Sequence, residues 1–231
     1  MEATSSALKN IRKEDAWEAL RKNSFEEAIQ IFEAITNDTP KDAISWHGWG
    51  VALMNQQKFE EAIVKFMVSL NHEPGMEAAI HNLGYCYVQL GEYKRALHYL
   101  DKIYLDRKGE PPSTRNLKLY RLRAYCYLQL RHYALARQEY DKAITIQPDN
   151  NYKAYFERGI TKIYLHSPFE AYQDFQTALL DVQKSEREEI IYDLRKQIAP
   201  WIETAVAEMK KLQEESNKLN NAVRKTLDAF Y

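Results

Sequence analysis

Residues that form turns are scarce in this chain: its 231 residues include only seven glycines and seven prolines. A β domain built from many hairpins needs such residues at its turns, so this composition argues against an all-β fold. Large side chains are abundant instead, since there are 16 tyrosines and 45% of all residues are apolar. The composition therefore predicts large side chains that pack on regular elements around a substantial core.

The chain also lacks an excess of charge of either sign. It has 32 basic and 33 acidic residues, for a net charge of −1, whereas a surface for nucleic acid needs a basic excess or stripe. No stretch approaches the roughly 18 apolar residues of a membrane span, and residues 1–20 contain no apolar run of signal-peptide length. We therefore expect a cytoplasmic protein that binds no nucleic acid and does not insert into a membrane.

Reactive residues and catalytic motifs are few. The two cysteines, Cys86 and Cys126, cannot form a disulfide framework or a metal cluster, and we expect them to be buried thiols. There is no glycine loop for phosphate, no His-Glu-x-x-His helix and no nucleophile elbow. The sequence therefore predicts a protein that is not an enzyme and has no catalytic residue, metal site or cofactor.

What the chain does contain is an internal repeat. An alanine recurs at steps of 34, 34, 40 and 35 residues, at Ala28, Ala62, Ala96, Ala136 and Ala171. A large residue stands four positions after each alanine, at Phe32, Phe66, Leu100, Tyr140 and Phe175. A fixed period of this length is typical of stacked helix pairs.

Each unit contains two helical stripes. In the second unit, apolar and small residues follow steps of three and four along two segments, Trp46, Trp49, Gly50 and Leu53, then Phe59, Ala62, Ile63, Phe66 and Leu70. Pro74 ends the unit, because proline cannot continue a helix. Gly50, Gly84 and Gly159 are expected to let the paired helix approach closely.

The pattern of Trp46, Trp49, Gly50, Ala62, Phe66 and Pro74 resembles the tetratricopeptide repeat. Five units are predicted within residues 1–182, at about 9–42, 43–76, 77–114, 117–150 and 152–182, with a longer connection near 106–116. The resemblance implies an all-α, right-handed superhelical solenoid with C-terminal capping helices. It also implies a non-enzymatic scaffold or adaptor for protein–protein interaction.

In this family the first helix of each unit lines a concave groove. The partner-binding residues predicted there form a basic row, an aromatic-apolar row and an amide row. The basic row is Lys13, His47, His81 and Arg121, followed by Phe156; the second row is Trp17, Val51, Tyr85 and Tyr125; the third is Asn55, Gln89 and Gln129. Such a surface suits a peptide with acidic and apolar groups, and both histidines are expected to titrate near neutrality.

Two alternatives remain open for the ligand. Some members of the family bind the Glu-Glu-Val-Asp tails of heat-shock chaperones through Lys, Asn, Asn, Lys and Arg. Asn82 and Lys118 fall in two of these columns and join the predicted site, but Leu122 stands where the arginine is expected. The groove could instead hold a small-molecule ligand.

The C-terminal region is predicted to form two helices. Residues 184–199 suit a capping helix, because their apolar residues fall on one face. Pro200 is expected to break or kink the chain before a long helix over 201–230. That helix carries a heptad seam of Ile202, Ala205, Met209, Leu212, Ser216, Leu219, Val223, Thr226 and Phe230. The seam is typical of a homodimeric coiled coil, with a cap or a lid over the groove as alternatives.

Overall fold

The computed structural model describes residues 13–106, 109, 113–184 and 188–228, with side chains as far as residue 221. Within these ranges the elements are helices, and no strand occurs. The beginning of the first predicted repeat, most of the connection 106–116, and the seam residues Val223, Thr226 and Phe230 lie outside the described residues or side chains. The chain divides into two compact units, Met1–Glu110 and Pro111–Tyr231.

Unit 1 consists of three helix pairs. The helices are α1 (13–21), α2 (Phe25–Asp38), α3 (Ala43–Asn55), α4 (Phe59–His72), α5 (Glu77–Gln89) and α6 (Tyr93–Asp106). From α2 onward each helix packs against the next, and α3 also contacts α5. The first helices of successive pairs are therefore neighbours in this unit.

Unit 2 consists of two helix pairs and a long final helix. A short 3₁₀ helix, Thr114–Asn116, leads into α7 (Leu117–Gln129), α8 (Tyr133–Ile146), α9 (Tyr152–Tyr164), α10 (Pro168–Gln183) and α11 (Glu188–Asp228). Consecutive α-helices pack together, and α7 also contacts α9. The two helix pairs of unit 2 are α7 with α8 and α9 with α10.

Close packing inside each pair depends on the small and large residues of the repeat. The five alanines of the repeat and the five large residues that follow them are all fully buried. A Cβ atom added at Gly50 would lie 2.6 Å from the Phe66 ring, and one added at Gly84 would lie 2.8 Å from Leu100. The predicted role of these glycines is confirmed, because a side chain there would overlap the large residue of the paired helix.

The turn inside each pair has one conformation in all five repeats. One residue takes a positive φ in every turn: Asn23, Gln57, Gly91, Arg131 and His166. The backbone N–H of the residue that follows closes each turn; the N–H of Lys58, for example, donates to the carbonyl of Leu53 at 3.0 Å. Only one of the five residues is glycine, so this conformation cannot be read from turn-forming residues in the sequence.

The C-terminal region departs from the prediction. Pro200 lies inside a single helix of 41 residues, so the prediction of two helices separated by a break at Pro200 is wrong. Ile198 and Ala205, on either side of the proline, are buried in one apolar cluster with residues of α9 and α10. This packing offsets the cost of an interior proline, which is roughly 3 kcal/mol.

Candidate protein-binding site

In unit 1, the C-terminal ends of two first helices form a pocket. Its volume is about 440 Å³, and its lining comes from α3, the α3–α4 turn, α4 and α5: Met54, Asn55, Gln57, Phe59, Tyr85 and Gln89. The Tyr85 ring meets Phe59 edge to face, with 6.4 Å between ring centroids. The fold therefore brings together the predicted residues Asn55, Tyr85 and Gln89. We call this site the amide pocket.

The amide pocket offers an aromatic wall beside polar groups. Asn55 and Gln89 are exposed, while Tyr85 is half-buried. The Asn55 Nδ2 already donates to the carbonyl of Val51 at 2.8 Å, which leaves the side-chain oxygen as an acceptor. An aromatic face next to amides can pack an apolar side chain and hydrogen-bond a peptide backbone.

The basic row predicted for unit 1 carries less free charge than expected. Lys13 forms an ion pair with Asp42, with 2.5 Å between Nζ and Oδ2. Burial lowers the pKa of His47 to about 4. The prediction that His47 titrates near neutrality is therefore wrong: the imidazole stays neutral across the physiological range, because desolvation disfavours its charged form.

His47 instead joins two repeats. Its ring lies beside Trp17 and Phe66, with centroids 6.0 and 5.6 Å away. Asn82, from the next pair, places its Nδ2 3.0 Å from the His47 Nε2. An amide N–H can only donate, so Nε2 accepts this hydrogen bond and the ring is neutral. The remaining predicted residues of unit 1, Val51 and His81, are half-buried on the same helices.

In unit 2, the predicted residues lie on α7 and α9. Lys118 and Gln129 are exposed, whereas Arg121, Tyr125 and Phe156 are half-buried. The Phe156 ring packs toward Phe175 of the paired helix, with centroids 6.2 Å apart. Phe156 thus contributes to the packing of its own repeat as well as to the surface that the first helices, α7 and α9, form in unit 2.

Glu157 of α9 is a titratable residue that the sequence patterns did not single out. Glu157 is half-buried, and its carboxyl group interacts with the fully buried Tyr140. Desolvation raises the pKa of Glu157 to about 7, although the Tyr140 hydroxyl, Arg121 and Lys153 favour its ionised form. Glu157 occupies the column of Asn82, so aligning the repeats column by column could have drawn attention to it.

Charged residues inside the fifth repeat have a structural role. Arg158 and Lys162, which replace the usual apolar residues, both pair with Asp174 of α10. The Arg158 guanidinium donates to both Asp174 oxygens, at 2.8 and 2.6 Å, and also to Asp141 at 2.8 Å. The charges of these side chains are paired with one another, so they are not available to pair with a ligand.

The two cysteines lie on first helices, Cys86 on α5 and Cys126 on α7. Cys86 and Cys126 are buried, as predicted, and burial raises the pKa of each thiol to about 12. No group of three or more His, Cys, Asp or Glu that could hold a metal ion occurs among the described side chains. Within the described ranges, no helix has the length and apolarity needed to cross a bilayer.

Comparison with known families identifies the repeat. Tetratricopeptide repeat profiles match residues 14–67, 78–104 and 117–150. Together with the helix pairs and their small-to-large packing, these matches show that the chain belongs to the tetratricopeptide repeat family.

Curated relatives match a limited part of the chain. The peroxisomal targeting signal receptor of Candida albicans is 34% identical over 76 residues, which are 33% of this chain and 13% of the receptor. The receptor of Saccharomyces cerevisiae is 32% identical over 79 residues, again 13% of its length. The chain thus matches about an eighth of the length of these relatives.

Solved structures match the fold over most of the chain. PilW, a type IV pilus biogenesis factor, has a TM-score of 0.70 at 19% identity and covers 90% of this chain and 93% of its own. MamA from Desulfovibrio magneticus has a TM-score of 0.68 at 18% identity, with 78% and 97% coverage. YrrB, described as a tetratricopeptide protein with an unusual peptide-binding site, has a TM-score of 0.63 at 19% identity, with 80% and 90% coverage. These likenesses confirm the predicted fold class.

Proposed function

We propose that this protein is a non-enzymatic scaffold or adaptor whose first-helix faces bind a segment of a partner protein. The observation that carries this proposal is the amide pocket of unit 1. It joins Asn55 of the second repeat with Tyr85 and Gln89 of the third around one concavity of about 440 Å³. That volume lies within the range of ligand-binding clefts.

The lining of the amide pocket favours an extended peptide with an apolar side chain. Tyr85 and Phe59 supply aromatic surface, and aromatic residues are frequent energetic centres of interfaces. Asn55 and Gln89 supply amide groups that can pair with a peptide backbone. Because His47 is neutral and Lys13 is paired with Asp42, unit 1 selects its ligand by shape and hydrogen bonding more than by charge.

The similar proteins give limited support to this proposal. YrrB is described as having a peptide-binding site, and the yeast receptors are named for targeting signals. Those descriptions belong to the other proteins, and the identity of a partner for this chain is left to experiment. A cytoplasmic location stays a prediction from the sequence.

The test is capture of peptides from a random-sequence array by the folded full chain. We expect Tyr85→Ala combined with Tyr125→Ala to lose most captured peptides while its circular dichroism spectrum stays helical, because the aromatic surface is removed. Tyr192→Ala is a matched control, since Tyr192 is 68% exposed on α11 of unit 2 and is not part of the predicted binding face. Capture that is unchanged in the folded double variant would contradict the proposal.

We also propose that the distal part of α11 pairs two copies of the chain. Residues 211–221 are exposed throughout, and Leu212 and Leu219, seven residues apart on the predicted seam, are 45% and 66% exposed. By contrast, Ile202 and Ala205 at the start of the seam pack against α9 and α10. A second copy would cover the leucines that unit 2 leaves exposed.

A further inference from the structure

A second pocket of unit 1 lies between the second helices of two neighbouring pairs, α4 and α6, with α5 beneath them. Its volume is about 270 Å³. Six of its eight lining residues are apolar or aromatic: Met67, Leu70, Pro74, Ile80, Leu83 and Tyr99. We call this site the apolar pocket. Its lining residues differ from those of the amide pocket, so the two pockets can bind different ligands.

We propose that the apolar pocket is a second binding site for a partner protein, and that it takes a segment in which a large apolar residue has an acidic residue nearby. The apolar side chain would fill the pocket, and the acidic side chain would pair with Lys102, which also lines it. This site goes beyond the proposed function, because that function concerns the first helices of each pair.

The size and lining of the apolar pocket suit one side chain of a protein. Its volume falls just below the roughly 300–1,000 Å³ that is typical of clefts for small molecules. Ile80 and Leu83 of α5 are 7% and 0% exposed, whereas Met67 of α4 is 48% exposed. Val64, three residues earlier on α4, is 55% exposed and extends the apolar surface. A partner's side chain in the pocket would cover part of this surface, as anchor residues do at interfaces.

Lys102 of α6 gives the apolar pocket a positive charge. Its Nζ lies 5.0 Å from the centroid of the Tyr99 ring, which itself stacks on Tyr87 with centroids 5.6 Å apart. The aromatic ring thus favours a position of the ammonium beside the pocket. Lys102 is exposed, and among the described residues no carboxylate forms an ion pair with it. Its charge is therefore available to an acidic group of a ligand.

The preceding repeat, by contrast, supplies its own acidic residue between two second helices. The Lys65 ammonium of α4 lies 3.5 Å from the centroid of the Trp49 ring, and Glu33 of α2 attracts it. The column of Glu33 holds Met67 in the next repeat, 34 residues later. The apolar pocket therefore has a cation beside an aromatic ring but an apolar residue in the column of the acid. An acidic residue of the partner would supply a complementary charge.

The experiment first separates the apolar pocket from the amide pocket. The full chain with Tyr85→Ala and Tyr125→Ala is applied to the random-sequence peptide array. We expect the peptides that it still captures to be enriched in sequences with a large apolar residue and an Asp or Glu within four positions of it. Adding Met67→Asp to this protein should abolish their capture, because the new carboxylate lies in the apolar lining and repels the acidic residue.

Leu135→Asp, in the same background, is the matched control for Met67→Asp. Leu135 lies on a second helix of unit 2, α8, and it is 45% exposed, against 48% for Met67. The control adds the same charge at a similarly exposed apolar residue outside the pocket, and it should retain the captured peptides. Circular dichroism establishes that each variant is folded.

Fluorescence anisotropy with one captured peptide, labelled with fluorescein, measures the two contacts one at a time. Met67→Asp should weaken binding by about tenfold, as expected when an anchor side chain loses its pocket. Lys102→Gln should weaken it about two- to fivefold, and less at high salt, because this ion pair is exposed. On the array, Lys102→Glu should change the preference from acidic to basic neighbours of the apolar residue. Lys94→Glu, at an exposed lysine eight residues earlier on α6, should not.

Four results would overturn the inference. The double tyrosine variant could capture no apolar–acidic peptides, or Met67→Asp could retain them. Lys102→Glu and Lys94→Glu could alter the array in the same way, which would indicate a general effect of charge. Finally, Met67→Asp could leave the peptides unaffected but reduce self-association in sedimentation velocity, which would assign the pocket to a second copy of this chain. The proposed function is judged separately, by comparing the wild type with the double tyrosine variant.

Discussion

At the scale of single residues, burial determines which titratable groups can respond to pH. His47 and Glu157 are both half-buried on first helices, and desolvation moves both toward their neutral forms. The pKa of His47 falls to about 4, below the physiological range, whereas the pKa of Glu157 rises to about 7, within it. Of these two groups, the one that titrates near neutrality is therefore the glutamate and not the histidine that the sequence suggested.

Glu157→Gln should stabilise the protein at pH 8. The ordinary pKa of this group is 4.5, and its pKa in the folded protein is about 7. Between these values the folded state holds a proton that the unfolded state has released, so the stability of the wild type falls as the pH rises through this window. The glutamine variant cannot ionise at this position and so does not lose stability in this window. We therefore expect its free energy of unfolding at pH 8 to exceed that of the wild type by on the order of 1–3 kcal/mol.

Urea denaturation of both proteins at pH 4 and pH 8 measures this difference. The variant and the wild type should be closer in stability at pH 4, where Glu157 is protonated in the folded state and largely protonated in the unfolded state. An equal difference at the two pH values would mean that the effect comes from packing of the amide and not from ionisation.

At the scale of the elements, the turn inside each helix pair has a fixed backbone conformation that four different side-chain types adopt at positive φ. Asn23, Gln57, Arg131 and His166 incur a steric cost in this conformation, since a Cβ crowds the backbone there. Gly91 avoids that cost. The conformation persists without glycine because the helices that flank each turn are fixed by the packing of their buried faces.

Gly91→Ala should destabilise the protein by about 1–2 kcal/mol, the cost of a left-handed conformation for a residue with a Cβ. Its φ is +74°, and a Cβ there would meet nothing within 4 Å, so backbone strain alone should cause the loss. Gly75→Ala is the matched control: its Cβ site is equally open, and it lacks the positive φ of Gly91. Thermal unfolding of both variants would contradict this account if Gly75→Ala lost as much stability as Gly91→Ala.

At the scale of the whole molecule, the repeat could be predicted from the sequence because the residues that recur with its period contact each other within one helix pair. Ala62 and Phe66 are both fully buried, and Gly50 leaves space for the Phe66 ring, so size alone reveals the packing. The charge of the predicted binding face could not be predicted from the sequence in this way. It depends on contacts between repeats, such as Asn82 with His47, and on burial that no local pattern records.

The C-terminal helix illustrates the same difference between local pattern and context. The local rule that proline ends a helix predicted a break, but Ile198 and Ala205 pack into one cluster on both sides of Pro200. The residues of the heptad seam, by contrast, fall into two groups in the structure. Its first positions, Ile202 and Ala205, pack against α9 and α10, whereas Leu212 and Leu219 remain exposed.

Leu212→Glu combined with Leu219→Glu should convert a dimer into a monomer, measured by light scattering or sedimentation velocity of the full chain. The leucines would lie at the centre of a paired seam, where two added charges on each chain would be desolvated and would repel those of the partner. Gln213→Glu combined with Asn217→Glu adds the same charge off the seam, at two exposed side chains on the same helix. This control should remain dimeric. A wild type that is monomeric at high concentration would contradict the proposed pairing of two chains. Leu212 and Leu219 would then be exposed leucines that no second copy covers.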